Sequence, residues 1–432
     1  MKKIYIIMIS TIILITSGIL IFLIMFKSNK EVAPPKEENV YYFLQKYYPM
    51  AASTVSLKTR LADQHKIMEY EKLYFPIINK KREIPNFLAC QVAVKSDRVI
   101  FTQYLMQGRR SEALTLMKED YHFGQLLDKS NTLIGRLIGI AVKTMSNAGL
   151  SIYMLNSCET KEDLQEFNKV INSLYKNNTV ELFEETFKRN KGEFWNVFPP
   201  VPTNENKLKH YLSNIPNILK FKRESIKEAE TRENVAKTKF ELLRTATAAK
   251  YKYITDGVFP KINSDFAPFL ANGPSNDPFI DQPLKYFNGE EKFVCYSVGP
   301  DKTDESAKTT YDPTNGTISG GDIVLEVPKK REYPFPRDGV KVNTAEELKA
   351  MFPNGLPADP FADTRGKNLS ITNTSPVIVY SFGPDTDEME HRDGFKVNTA
   401  RDIKKHELEL MYDPTNGVIS DGDLFFELPM RK

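Results

Sequence analysis

Eight aspartates in the last third of the chain are the side chains best suited to hold a metal ion. Their carboxylates, with nearby backbone carbonyls, are hard oxygen ligands of the kind that Ca²⁺ takes about six to eight at a time. The same side chains could instead cap turns by accepting hydrogen bonds from backbone amides, and the residue types alone favour that role. No EF-hand spacing is present among them. The candidates form two sets: Asp301, Asp304, Asp312 and Asp322, followed by Asp385, Asp387, Asp413 and Asp423.

These two sets of aspartates belong to an internal repeat. Four motifs occur twice in the same order, and a fifth recurs at a shifted position, which indicates a duplication with later insertion. The motifs are Asp-Pro-Phe at 277 and 359, Tyr-Ser-Val/Phe-Gly-Pro-Asp at 296 and 380, Tyr-Asp-Pro-Thr-Asn-Gly at 311 and 412, Gly-Asp-Ile/Leu at 321 and 422, and Arg-Asp-Gly-Val/Phe-Lys at 337 and 392.

Each copy of the repeat contains short β-prone runs bounded by Pro, Asn, Gly and Asp. We therefore predict a loop-rich antiparallel β module with few strands and long loops. The runs are 293–298 and 323–327 in the first copy, and 377–382 and 424–428 in the second.

At these motifs the chain resembles the C-terminal domain of the major pseudopilin of type II secretion systems and of related pilin-like envelope proteins. The resemblance covers about 242–328 and 358–429 and implies that calcium holds the loops together. It also implies, for the eight aspartates, the role of metal ligands. Two features depart from the family: no glutamate follows Gly18, where a prepilin peptidase would cut, and a long helical region separates the N-terminus from the repeats.

The N-terminal segment is predicted to be an uncleaved membrane anchor. From Ile4 to Phe26 the chain has no ionisable group except Tyr5. A helix of that length, at about 1.5 Å per residue, crosses a hydrocarbon core of about 30 Å. The run is longer than the apolar part of a signal peptide and lacks a good cleavage site. We expect the short N-terminal tail in the cytoplasm and the bulk of the chain outside it.

The region from about 40 to 253 has the apolar spacing of helices joined by short turns. The apolar run Leu133–Met145 contains Arg136 and Lys143, so it is predicted to be a buried core helix rather than a second membrane span. Helix starts are predicted at Ser111, at Ser130 and at a capping box formed by 160–163, and a long helix is predicted from about Pro216 to Tyr253.

Charge and cysteine content argue against nucleic-acid binding and against a cysteine metal site. The 59 basic and 56 acidic residues give a net charge of +3, too balanced to indicate a nucleic-acid-binding surface. A basic cluster at 220–227 could contact acidic lipid head groups, although the interleaved Glu224 and Glu228 favour a solvated face. The three cysteines, Cys90, Cys158 and Cys295, have no metal-site spacing and are predicted to be buried thiols.

No motif of a known catalytic chemistry stands out. The five histidines are scattered without HExxH spacing, and there is no GxSxG elbow, Walker A loop or GxGxxG fingerprint. The Ser-x-x-Lys spacing at 173–176 falls within a predicted helix and lacks the motifs that accompany it in acyltransferases.

The sequence thus predicts an α+β protein that is not an enzyme: an interaction or assembly protein of the bacterial inner membrane, with calcium-stabilised repeats and envelope or secretion-system partners. The alternative is an extracytoplasmic enzyme whose site, around His65, His122 or His210, lies in the helical region. The predicted divisions are a 1–27 anchor, a 28–39 linker, a 40–215 helical domain, a 216–328 long helix with the first repeat, and a 329–432 second repeat.

Overall fold

The computed structural model describes residues 34–47, 64–75, 77–78, 81–82, 87–130, 132–176, 205–267, 269–312, 320–361, 367–372, 377–381 and 424–428. The predicted anchor, Ile4–Phe26, lies outside these residues. Among the helices in the described ranges, none is long and apolar enough to span a bilayer.

The chain is a mixed α+β protein, as predicted. Its described residues contain seven α-helices and three 3₁₀ turns, the latter at Lys36–Glu38, His65–Glu69 and Asn263–Phe266. The helices are α1 (Tyr41–Tyr47), α2 (Phe87–Met106), α3 (Arg110–Asp128), α4 (Leu133–Ser157), α5 (Lys161–Lys176), α6 (Glu205–Asp256) and α7 (Ala345–Met351).

The ends of these helices agree with the sequence in part. The capping box before α5 is confirmed, because Thr160 Oγ1 accepts from Asp163 N (3.2 Å) and Asp163 Oδ2 accepts from Thr160 N (3.0 Å). The cap of α4 is Thr132 rather than Ser130. The long helix begins at Glu205, so Pro216 is not its start but lies within it, and the predicted boundary at 215–216 falls inside α6.

Ten short strands form four antiparallel sheets in the described part of the chain. The strands are β1 (Ile77–Ile78), β2 (Lys81–Arg82), β3 (Asn276–Asp277), β4 (Gln282–Pro283), β5 (Lys285–Asn288), β6 (Lys292–Ser297), β7 (Ile323–Pro328), β8 (Ser370–Ile371), β9 (Val377–Ser381) and β10 (Leu424–Leu428). We call 276–328 the first β unit and 358–428 the second β unit. The β1–β2 hairpin lies in the region where the sequence predicted helices alone.

The predicted strand pairs of both units are confirmed. In the first β unit the sheet order is β5-β6-β7, and Ser297 is opposite Ile323. The second β unit has the order β8-β9-β10, and Ser381 is opposite Leu424.

Helix α6 lies between the other helices and the first β unit. On one side, the ring of Phe240 lies 4.9 Å from that of Tyr121 in α3. On another side, the buried Cys295 thiol of β6 donates to the backbone carbonyl of Leu242. The Lys250 ammonium of α6 also donates to Met154 O, at 2.7 Å, near the end of α4. One apolar cluster therefore runs from the helices into both β units. A second cluster lies between α1, the 64–75 segment and the adjoining parts of α2, α3 and α4.

Helices α3 and α4 approach very closely. A Cβ at Gly139 would lie 2.4 Å from Asp128 N, and one at Gly124 would lie 2.9 Å from Lys143 N. Only glycine leaves room for such backbone contact. The run predicted to be a buried core helix is thus confirmed as part of α4.

The charges that interrupt this run are paired in the core. Lys143 Nζ lies 2.6 Å from Asp128 Oδ2, and Arg136 Nη2 lies 2.7 Å from Glu233 Oε2 in α6. Asp128 Oδ1 is 3.5 Å from Arg136 Nε. Buried charges are tolerated only when they are paired in this way.

The segment that joins the two β units, 329–357, is held against the ends of the helices. Arg110 donates to the carbonyls of Ser157 (2.7 Å) and Phe335 (2.9 Å), and Val340 N donates to Met106 O. Phe335 is fully buried. These contacts fix the start of the segment on the helical region.

We predict that Asp128→Asn lowers the free energy of unfolding by about 3 kcal/mol, because it leaves the buried Lys143 and Arg136 without their shared carboxylate. Denaturant unfolding of the full chain measures this change. Glu228→Gln, which removes an exposed pair with Arg232, is the control and should cost less than about 0.5 kcal/mol. Equal losses in the two variants would contradict the proposed difference.

Candidate calcium site

The loop between β6 and β7 folds into a tightly constrained turn. Lys302, Ser306 and Ala307 have positive φ values of 61°, 57° and 59°. Such values are uncommon for residues other than glycine and cost conformational energy that surrounding contacts must offset. The turn brings the backbone of Ala307 to the side chain of Asp322, the residue just before β7.

Asp322 is the most buried of the four predicted ligands that the structure describes, with no exposed surface. Its Oδ2 accepts a hydrogen bond from Ala307 N at 2.6 Å, whereas its buried Oδ1 has no hydrogen-bond partner. Burial, together with the nearby charges of Glu305 and Asp304, raises the pKa of the Asp322 carboxyl to about 6. A bound cation would offset both effects, since it favours the ionised carboxylate.

Asp301 and Asp304 cap turns. Asp301 accepts hydrogen bonds from Thr303 N (3.1 Å) and Gly321 N (3.0 Å). Asp304 accepts from Ser306 N two residues on, at 2.9 Å. This is the structural role that the residue types favoured.

Asp304 also forms an ion pair with a lysine. The Asp304 carboxylate pairs with Lys285 of β5 and accepts a hydrogen bond from the Tyr296 hydroxyl at 3.2 Å. The hydrogen bond from Lys285 is the main cause that lowers the pKa of Asp304. This carboxylate therefore already has a cationic partner.

Of the remaining predicted ligands, only Asp312 lies among the described residues. Asp312 follows Tyr311, whose backbone N–H donates to Asp322 O at 2.8 Å, so it lies on the same loop. Four predicted ligands lie outside the described residues: Asp385, Asp387, Asp413 and Asp423.

The fit of this loop to a cation is partial. Across the described ranges, no three His, Cys, Asp or Glu side chains are placed together to hold a metal ion. Asp322 and Glu305 each have a buried carboxylate oxygen without a hydrogen-bond partner, and such oxygens are suited to a hard cation. Calcium binding stays a prediction for this loop.

Glu305 is not among the ligands that the sequence predicts. It immediately follows Asp304 in the run Asp-Lys-Thr-Asp-Glu, so its proximity to the candidate ligands was visible. Glu305 is half-buried and is followed by the left-handed turn at 306–307, which no residue type there predicts, because Ser and Ala seldom adopt that conformation.

A second polar cluster lies in the helical region. Gln64 Nε2 donates to Asp120 Oδ1 of α3 (2.7 Å) and to Asp97 Oδ2 of α2 (3.4 Å). Burial, with the added charge of Asp97, raises the pKa of neighbouring Glu119 to about 7. A carboxyl that titrates near neutral pH can serve as a general acid or base.

The histidines of the alternative interpretation are placed differently from one another. His65 is exposed, whereas His122 is buried and its Nε2 lies 2.9 Å from Tyr70 O. Burial lowers the pKa of His122. The side chain of His210 lies outside the described residues. The contact with Tyr70 gives His122 a structural role in fixing the 64–70 segment against α3.

Comparison with known proteins returned no match: no family model, no curated protein and no solved structure is similar to this chain. The likeness to pseudopilins therefore stays a prediction from the repeated motifs.

We predict that the stability of the chain falls as pH rises from about 5 to 8. The pKa of Glu119 is about 7 in the folded state and about 4.3 when unfolded, so the folded state binds the proton more tightly and loses that advantage as the group ionises. The free energy of unfolding, measured with urea across this pH range, should depend less on pH in Glu119→Gln. The difference should be at most about 3 kcal/mol.

Glu112→Gln is the matched control on the same helix, since Glu112 is exposed and pairs with Arg109. Its pH profile should parallel that of the unsubstituted chain. A Glu119→Gln profile that also ran parallel would contradict the assignment.

Proposed function

We propose that this chain is a membrane-anchored, extracytoplasmic interaction or assembly protein without catalytic activity. In this proposal, two duplicated pseudopilin-like β units are stabilised by calcium and presented on a helical scaffold. The observation that carries it is the set of equivalent hydrogen bonds in the two units.

The strand register supports the duplication. Tyr296 and Tyr380 occupy the same place in the repeat, and each is paired across the sheet with the residue after the repeated Gly-Asp-Ile/Leu motif, Val324 and Phe425 respectively. A shift of one residue would turn every side chain of a strand to the opposite face. Equal register therefore places equivalent side chains on equivalent faces.

The repeated Asp-Pro-Phe turn gives a second, independent match. Asp277 Oδ1 accepts from Phe279 N at 3.0 Å, and Asp359 Oδ1 accepts from Phe361 N at 2.9 Å. Both aspartates are buried. Each turn thus uses its carboxylate to fix the same backbone bend.

In both units, the residue just before the first strand of the three-stranded sheet donates an equivalent hydrogen bond. Leu284 N donates to Ser275 O at 2.9 Å, and Leu369 N donates to Pro357 O at 3.0 Å. The accepting residue precedes the turn aspartate by two positions in both cases. Matching turns, strand order and register support descent of the two units from one ancestral unit, as the repeated motifs predict.

The helical region is suited to act as a scaffold. The first β unit packs on α6 through Cys295, whereas Phe361 of the second β unit lies beneath Lys95 of α2, 5.7 Å from its ammonium. Because the two units contact different helices, the scaffold sets their relative placement. A protein that presents two related surfaces in this way is suited to binding partners in an assembly.

Calcium should stabilise the folded chain. At about a hundredfold excess over its dissociation constant, a ligand that binds only the folded state adds about 2.7 kcal/mol. We predict that calcium raises the thermal midpoint of the full chain in detergent, whereas magnesium raises it less because Mg²⁺ demands a smaller, stricter octahedron. A chelator should reverse the shift.

Asp322→Asn separates metal binding from folding. Without calcium the variant should be at least as stable as the unsubstituted chain, because a buried carboxylate close to Glu305 and Asp304 is removed. Calcium should, however, no longer raise the thermal midpoint of this variant. It should still raise the midpoint of Asp338→Asn, which removes an exposed pair with Lys341. An unsubstituted chain that does not respond to calcium would remove the metal from the proposal.

A further inference from the structure

The carboxylate of Asp304 has a donor on each of its two oxygens. Its Oδ1 accepts hydrogen bonds from Ser306 N at 2.9 Å and from the Tyr296 hydroxyl at 3.2 Å. Its Oδ2 forms an ion pair with the ammonium of Lys285. An oxygen that already faces a cation is poorly placed to bind a second one, because the two positive charges repel each other.

Asp304 borders the same turn as the carboxylates that have an open oxygen. Asp304 and Asp322 accept hydrogen bonds from successive backbone amides of this turn, those of Ser306 (2.9 Å) and Ala307 (2.6 Å). Among the described residues, Asp322 Oδ1 is buried without a hydrogen-bond partner, and so is Oε2 of Glu305. Two open oxygens and one oxygen held by a lysine therefore surround one turn.

The ion pair of Asp304 accounts for the partial fit of this loop to a cation. Ca²⁺ takes about six to eight oxygen ligands, and carboxylates among them offset its charge. The two open oxygens, on Asp322 and Glu305, are few for such a shell. Asp304, whose charge acts on the Asp322 carboxyl, is a neighbouring carboxylate that could add a third, but its Oδ2 pairs with Lys285.

Strand register brings Lys285 to this loop. Lys285 of β5 is directly opposite Tyr296 of β6, and the hydroxyl of that tyrosine also reaches Asp304. Side chains that are opposite each other on neighbouring strands share one face of the sheet. The side chains of Lys285 and Asp304 are 36% and 37% exposed, so water competes with the ion pair and a divalent cation can displace it.

The second β unit has a serine at the equivalent position. Ser370 of β8 is opposite Tyr380 of β9, as Lys285 is opposite Tyr296. The leucine that precedes each of these two residues donates an equivalent backbone hydrogen bond, which gives the same alignment independently. One unit therefore carries an ammonium where the other carries a hydroxyl.

We propose that Lys285 is an internal competitor of calcium in the first β unit. Its ammonium holds Asp304, and it must leave before this carboxylate can turn to a cation bound at Asp322 and Glu305. The lysine thereby lowers the calcium affinity of the first β unit. The inference rests on the proposed calcium site and adds the residue that sets its affinity. Weak sites, with dissociation constants of about 10⁻⁴ to 10⁻³ M, are typical of extracellular modules.

Calcium titration of the full chain in detergent, followed by calorimetry, tests this role. Lys285→Ser gives the first β unit the side chain that the second carries at Ser370. We expect it to tighten calcium binding at least about threefold at the site that Asp322→Asn removes, because an ion pair no longer has to be broken. Lys285→Arg keeps the positive charge and should bind calcium no more tightly than the unsubstituted chain.

Lys292→Ser is the matched control. It removes an ion pair with Glu326 on the same sheet, and these two side chains are 46% and 48% exposed. Its calcium affinity should stay within about twofold of that of the unsubstituted chain. The thermal midpoints without calcium should be similar in the three lysine variants, since each alters an exposed side chain.

Combining Lys285→Ser with Asp322→Asn shows whether the lysine acts on this site. The double variant should bind calcium as the Asp322→Asn variant does, because the site on which Lys285 acts has been removed. A gain from Lys285→Ser that persists in the Asp322→Asn chain would overturn the proposal, since the lysine would then act on calcium binding elsewhere.

The titrations also distinguish the competing lysine from the calcium site itself. Binding that is lost in Asp322→Asn but is unchanged in Lys285→Ser overturns the competition and leaves the calcium site standing. Binding that appears only in Lys285→Ser supports the competition and shows that the lysine closes the unsubstituted first β unit to calcium. No binding in either chain overturns both.

Discussion

Burial of α6 on two sides is the constraint on which the rest of this structure depends. A helix that is apolar on more than one side must be covered on each. Phe240 fills the side toward α3, and Leu242 and its carbonyl meet β6 on the other. The helical region and the first β unit consequently share one core, and neither can be removed without exposing apolar surface of α6.

Polar contacts fix how the parts meet around that core. The paired charges of Asp128, Lys143 and Arg136 align α3 and α4 with α6, where the glycines permit close approach. Arg110 attaches the segment between the β units to the ends of the helices. Hydrogen bonds and ion pairs in the interior are demanding in geometry, so they select one arrangement among many that apolar packing alone would allow. A fixed arrangement of two similar units suits the proposed role in assembly.

Local signals in the sequence were sufficient for much of the fold. The capping box at Thr160 and the four main strands follow from residue types within a few positions. The start of α6 could not be predicted from such local signals. Pro216 is a typical first-turn residue, yet it lies within this helix. In the candidate site, Asp322 is among the predicted ligands. The half-buried Glu305, however, stands beside a turn with unusual backbone angles, and Asp304 pairs with Lys285 on β5. Such long-range pairings leave no pattern in a single sequence.

Native-state hydrogen exchange on the full chain tests most directly whether α6 is the shared core element. If α6 is shared, amides of 235–250 in α6 are as protected as those of α4 and β6, and all three exchange through one opening with the same dependence on denaturant. Exchange of β6 and β7 through a separate, higher-energy opening while α6 has already lost its protection would contradict a common core.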